Sequence, residues 1–457
     1  MMMMRSMVAV AALLAGTSPV LAAEVPLTAL ASGVNEAELK ANITALVGFG
    51  TRHSASDTSS PTRGIGAARR WTEARFQAFS AACGNCLTIE KPAQIFTGER
   101  LPNPTEIVDV LAIQRGTSDP NRVIIISAHI DSRNSDPNDA KGDAPGANDD
   151  GSGTAAVIEA ARVLSQHKFP ATIVYAVLSG EEQGLNGGKV LADYARAQGW
   201  MVEADLNNDI IGNSTGIGGM KDSGHVRVFS EGTKAVESAA QANRRRYNGG
   251  ENDSPSRNVA RFLDRLADHT IDGLDVKMIY RTDRFGRGGD QTRLLEAGYP
   301  AVRITESVEH YDRQHQNVRV ENGRRYGDLI DGVDFQYLGK VTRLNVAGLA
   351  ALARAPMPPA VSIERNAGSN TMVSWAPVKG AAGYKIWWRD TTAPQWQNSR
   401  SADAAATSLV LEHVSIDDWL FGVSAVAADG SESPIAYPGD AGNFISNPPF
   451  PSPQPRP

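Results

Sequence analysis

Arg122–Asp131 reads RVIIISAHID, and Gly146–Gln166 reads GANDDGSGTAAVIEAARVLSQ. The first stretch is almost continuously β-branched up to Ala128, the composition of a strand buried on both faces. The second places apolar residues at helical spacing from Thr154 to Gln166, with Ser152-Gly153 at its start. A second buried strand follows at Thr172–Leu178 (TIVYAVL). Strand, helix and strand in this order call for a parallel sheet with helices packed on its faces.

Working outward, Ile107–Gln114 (IVDVLAIQ) reads as an earlier strand. Gly188–Gln198 reads as a helix, Leu206–Ile211 as a strand end, and Val276–Tyr280 and Ala301–Thr305 as short strands. Val333–Ala353 is a long amphipathic helix. The expected fold is α/β, three α/β/α layers around a mostly parallel mixed sheet. The character then changes. Ala355-Pro-Met-Pro-Pro-Ala360 is a stiff linker, and Met372–Trp375, Tyr384–Arg389, Ser408–Leu411 and Trp419–Ala425 alternate apolar and polar residues with no helix between them. This predicts an all-β sandwich over 361–446, followed by a proline-rich tail, Asn447–Pro457.

With 457 residues, the chain calls for two or three domains. Residues 1–23 have the charge (Arg5), short apolar core (Met7–Gly16) and small-residue site of a secretory signal, with cleavage after Ala22 or Ala23. The core is too short to span a membrane, so the protein is expected to be secreted or periplasmic. In such a compartment Cys83 and Cys86 read as a tight-loop disulfide. The net charge of −6 gives no general attraction for nucleic acid or acidic membranes.

The chemistry concentrates at strand ends. His129 and Asp131 close the first strand as His-x-Asp, on one face, so His129 can bind a metal while Asp131 orients its ring. Asp149 and Asp150 stand among glycines at a helix start; an N-cap accounts for one of them but not for both. Glu181 and Glu182 follow TIVYAVL, and one can ligate a metal while the other acts as general base on water. Asp209 ends an apolar strand, where a buried carboxylate needs a cationic partner. The loop Glu309–Val318 offers His310 and His315.

The order HID, NDDGSG, SGEEQGL, NNDIIG and a late histidine resembles the di-zinc aminopeptidases, the metallopeptidase family of secreted bacterial leucyl aminopeptidases, over about Thr51 to Ala353. The resemblance implies a zinc exopeptidase fold for residues 24–354 and two Zn²⁺ per chain. It implies Asp149 as the bridge, His129 and Asp209 on one metal, and Glu182 with a loop histidine on the other. Glu181 becomes the general base, working on a hydroxide shared by two metals, and Asp131 the support of His129. The family's spacing favours Asp149 over Asp150 and His315 over His310. Gly289-Asp290-Gln291 departs from the Ser-Asp-His of many relatives. The substrates implied are peptide or protein N-termini. Residues 361–446 are similar to a fibronectin type III module, a spacer or a contact for a surface, polysaccharide or protein partner. Two other readings are a glutaminyl cyclase on the same fold and an inactive domain displaying the β module.

Overall fold

In a computed structural model of the protein, which describes residues 24–364 and 368–444, the β-branched run divides its side chains between two cores. Ile124 and Ile126 face one layer with Ile173 and Tyr175, while Val123 and Ile125 face the other with Val174 and Ala176. This two-sided burial is why the run carries no polar alternation. The expected signal segment 1–23 and the proline-rich tail lie outside the described residues.

The first ten strands are β1 (Leu87–Glu90), β2 (Ala93–Gly98), β3 (Leu101–Val108), β4 (Val110–Gln114), β5 (Asp119–His129), β6 (Ala171–Leu178), β7 (Met201–Asn208), β8 (His225–Phe229), β9 (Asp275–Ile279) and β10 (Ala301–Glu306). Eight of them form one mixed sheet in the order β1-β4-β6-β5-β7-β10-β8-β9. Its centre, β6-β5-β7-β10, is parallel throughout, so four strands end at the same edge. β1, β4 and β6 pair antiparallel, as do β10 and β8.

The helices are α1 (Leu27–Ser32), α2 (Glu36–Gly48), α3 (Gly64–Ala82), α4 (Gly151–Leu164), α5 (Asn186–Ala197), α6 (Ala239–Asn248), α7 (Pro255–Thr270), α8 (Gln291–Glu296) and α9 (Phe335–Arg354). α2, α3, α4, α7 and α9 contribute to the core on one face, and α5 and α8 to that on the other. No helix among the described residues is long and apolar enough to cross a membrane. The expected disulfide between Cys83 and Cys86 is formed just past α3.

Ile107–Gln114 does not form the single strand expected. It breaks at Asp109, which is fully buried and accepts from Ser179 N at 3.0 Å. Before the break, β3 pairs with β2 as a separate hairpin; after it, β4 enters the main sheet.

A small hairpin, β11 (Arg319–Glu321) and β12 (Arg324–Tyr326), follows the last central strand. Beyond α9, the strands β13 (Val361–Ile363), β14 (Thr371–Trp375), β15 (Gly383–Asp390), β16 (Asn398–Asp403), β17 (Ser408–Leu411) and β18 (Trp419–Val426) form two antiparallel sheets, β13-β14-β17 and β16-β15-β18. Buried Trp375 of one sheet meets Tyr384 of the other, with ring centroids 5.3 Å apart.

The segment 355–360 is not a free spacer. Ala355, Pro356, Pro358 and Pro359 are buried, and the Ala355 carbonyl accepts from buried Arg122 at 2.7 Å. The β unit is docked on α7 through buried charges. Asp253 takes both oxygens to Arg389 Nη2, at 2.9 and 3.0 Å, and Oδ1 to Arg261 Nη1 at 2.9 Å. Trp396 Nε1 also donates to Asn258 across this contact at 3.2 Å. One carboxylate thus pairs with two guanidiniums in a place that water does not reach. Asp253→Ala leaves both cations buried without a counter-charge and is expected to destabilise the fold by about 3–5 kcal/mol. Chemical denaturation of the two proteins measures this, with limited proteolysis at 355–360 reporting release of the β unit; equal midpoints and equal protection would contradict it.

Candidate metal centre

Each parallel strand of the sheet centre ends in a residue that cannot be buried alone. At the end of β5, His129 Nδ1 donates to the Asp131 carbonyl at 3.0 Å, which leaves Nε2 free to face the other strand ends. The Asp131 carboxylate lies 3.6 Å from the same ring. Its shorter contacts are to backbone N–H groups of the neighbouring turn, Gly180 at 2.8 Å and Glu182 at 3.1 Å. Asp131 therefore ties the histidine strand to the two-glutamate turn, a wider task than support of the ring.

The Asp149–Asp150 pair separates into two roles. Asp150 is the N-cap of α4, accepting from Gly153 N at 2.9 Å and also from Ile210 N at 3.1 Å. Asp149 points the other way: Oδ1 is 3.3 Å from His129 Nε2 and Oδ2 is 3.1 Å from His315 Nε2. The peptide between the two is cis. The glycines have a steric reason, since a Cβ on Gly153 would stand 2.3 Å from the Asn208 carbonyl. α4 therefore starts against the end of β7.

Two groups of side chains result. Ligand-type atoms of His129, Glu181 and Asp209 lie within 4.8 Å of one another, and so do those of Asp149, Glu182 and His315. His315 Nε2 is 3.0 Å from Glu182 Oε1, and Asp149 stands between the groups. His310 belongs to neither. It lines a cleft of about 150 Å³ with Arg313 and Arg325. Ile210 and His315 both have left-handed backbone, with φ of 56° and 52°. For a β-branched residue this is a strained conformation of the kind that concentrates at functional sites.

Asp209 has a cation that the sequence reading did not foresee. Arg303, fully buried in β10, places Nη1 2.7 Å from Asp209 Oδ2, leaving Oδ1 toward His129 at 3.9 Å. The need for a partner that pointed to a metal is thus half met by an arginine. Other supports were missed as well. Buried Asp328 accepts from the N–H groups of Asn148 and Asp149 at 2.9 and 2.7 Å. Buried Arg52 donates to the carbonyls of Ile130, Pro145 and Gly146, and Arg100 from the β2–β3 turn donates to the Glu182 carbonyl.

The electrostatics match a cation site. Burial pushes the Glu181 carboxyl well up, and the charges of Asp209, Glu182 and Asp290 add to this against His129. Burial alone would lower the His315 pKa, but Glu182 and Asp149 push it up to about 10. A field that holds an imidazolium this strongly also favours a divalent cation in place of protons. His and carboxylate oxygen are the donor set of hydrolytic zinc. The residues therefore fit the metal that the sequence implied.

Comparison with known proteins agrees with this geometry. Peptidase family M28 matches residues 109–328, the span from the Asp109 break to Asp328. A probable zinc metalloprotease of Pyrenophora teres is 42% identical over 419 residues, covering 90% of this chain and 86% of the relative. The chain belongs to peptidase family M28. A probable zinc metalloprotease of Leptosphaeria maculans is also 42% identical, over 91% of this chain and 97% of the relative. Among solved structures, the LapA aminopeptidase of Legionella pneumophila shares the fold with a TM-score of 0.51 and 20% identity, over 74% of this chain and 78% of that one. A leucine aminopeptidase precursor from Bacteroides thetaiotaomicron has the same TM-score at 15% identity, over 72% of this chain and 99% of that one. The M28 protein is thus a zinc metallopeptidase on a mixed α/β sheet, as the resemblance implied.

The two loop histidines give a direct check. His315→Ala is expected to lower the zinc bound per chain, because a nitrogen donor leaves the Asp149–Glu182 group. His310→Ala should retain the wild-type zinc content. Elemental analysis of both purified variants decides it, and metal loss in His310→Ala with retention in His315→Ala would reverse the assignment.

Proposed function

We propose that this M28 peptidase is an exported aminopeptidase that releases N-terminal residues from peptides and holds two zinc ions per chain. The observation that carries this reading is Asp149, whose two oxygens face His129 and His315 at 3.3 and 3.1 Å from opposite sides. A carboxylate so placed serves two positions at once. His129 and Asp209 would complete one position, and Glu182 and His315 the other. Bound there, zinc supplies Lewis acidity for a water and for the scissile carbonyl.

The remaining chemistry belongs to the protein. Glu181, half-buried beside Asp209 and His129, has its carboxyl raised by burial, which suits a group that accepts a water proton and returns it to the leaving amine. Asp131 fixes the turn that carries Glu181, through its bonds to Gly180 N and Glu182 N. A free α-amine could meet one of the metal positions and the acid groups beside it, a contact that a blocked N-terminus cannot make. Residues 24–354 form the peptidase domain on this reading. Residues 361–446 form a fibronectin type III-like module, held on α7 as a fixed arm toward a surface, polysaccharide or protein partner. Residues 1–23 direct export.

Glu181→Gln tests the central role. The amide cannot accept the proton, so turnover of amino-acid anilides should fall by about 10²–10⁴-fold, with zinc content and unfolding temperature retained. N-acetylated anilides should be inert to the wild type. Activity in Glu181→Gln within a few-fold of wild type, or equal cleavage of acetylated substrates, would refute the reading.

A further inference from the structure

Beside Asp209 the site has a wall made of arginine. The loop Arg281–Gly289 (RTDRFGRGG) follows β9, and Gly288 approaches Leu185, three residues beyond Glu182. At its other side the loop meets Glu309, in the segment that leads to His315. It thus lies between the two stretches that carry Glu182 and His315.

An alternating chain of charges crosses this wall. Arg303 joins Asp209, at 2.7 Å, to Asp283, at 3.3 Å. Arg284 joins Asp283, at 3.2 Å, to Glu309, also at 3.2 Å. Glu309 then takes Arg227 at 2.6 Å and Arg287 at 3.4 Å. With Asp209 assigned to the metal site, four guanidiniums share the two carboxylates Asp283 and Glu309. Two further acids adjoin it and both are buried: Glu306, turned toward Asn148 and Asn213, and Asp290, which follows the loop and accepts from Gly188 N at 2.9 Å. With the loop's own Arg281, stacked on Phe285, and Asp290 also counted, the wall still carries two positive charges more than it carries negative ones.

The surplus is not evenly placed. The side chains of Arg303, Arg284 and Arg227 are at most 18% exposed, and each makes at least two polar contacts. Arg287 is 35% exposed, and its guanidinium makes one polar contact among the described residues, the long one to Glu309. It is the member of the wall with donors free to meet a ligand. A guanidinium fork of this kind matches a carboxylate, and a neighbouring surplus of positive charge repels a cationic side chain.

We propose that the arginine wall makes the enzyme selective for substrates with an acidic N-terminal residue, Asp or Glu, whose side-chain carboxylate is met by Arg287. The inference rests on the aminopeptidase reading above and adds to it the class of substrate. The sign of the wall excludes Lys and Arg at that position, and Phe285, 86% exposed at the loop tip, leaves the approach open to solvent.

The test uses the zinc-loaded full chain and the p-nitroanilides of Glu, Leu and Lys, with the Glu/Lys ratio of kcat/KM read within each protein so that a general loss of activity cancels. The wild type should favour Glu over Lys by about tenfold or more, the effect of one charge-assisted contact. Arg287→Gln should lower the ratio chiefly by raising KM for the Glu substrate. Arg287→Glu should invert it, an outcome that a merely loosened loop does not produce. A wild type that cleaves Lys anilide faster than Glu anilide, or a ratio in Arg287→Glu within about twofold of wild type, overturns the proposal while leaving the aminopeptidase intact. A wild type inert toward all three anilides overturns the aminopeptidase reading, and the proposal with it.

Discussion

Carboxylates brought together at one buried sheet edge repel one another, and the arrangement around them can be read as the ways in which that repulsion is met. Asp149, Glu181, Glu182 and Asp209 are delivered by three different strand-to-helix or strand-to-loop crossings. The parallel pairing of β6, β5, β7 and β10 forces those crossings to one edge. Buried ions cost several kcal/mol each unless they are paired. Here the pairing comes from His129, His315 and Arg303, and from the two cation positions that the donor atoms outline. Remove the parallel order and the charges would not meet; remove the cations and they could not remain.

The supporting bonds explain why the edge is rigid. Asp150 spends its carboxylate on backbone N–H groups of Gly153, Ile210 and His129, joining three elements. Asp131 and Asp328 do the same for the turns of Glu182 and Asp149. Each is a buried acid satisfied by N–H donors rather than by a metal, so acidic residues in this site divide into those that hold backbone and those left facing inward. That division gives the inward-facing group its narrow geometry without recourse to flexible loops.

Much of this was legible from the amino acids. Buried β-branched runs that end at His129 and just before Glu181 announce strands whose ends carry chemistry, because local composition decides both facts. What stayed hidden depends on contacts distant in sequence. Arg303 lies in AVRITE, and only the sheet order shows that its partner is Asp209. The break at Asp109 had a signal, a charge inside an apolar run, but its reason is the Ser179 N–H of another strand. The proline segment reads as a stiff linker because stiffness is local; its burial, with the Ala355 carbonyl on Arg122, depends on residues more than two hundred positions away. Asp253, Arg261 and Arg389 look like ordinary surface charges until they are placed between two folded units.

The proposed chemistry depends on Asp149 serving two metal positions. Crystals of the full chain grown with zinc, measured on both sides of the zinc absorption edge, test this most directly. Two anomalous peaks are expected, one among His129, Asp209 and Asp149, the other among Glu182, His315 and Asp149. A single peak, or peaks that leave Asp149 outside both coordination spheres, would contradict it.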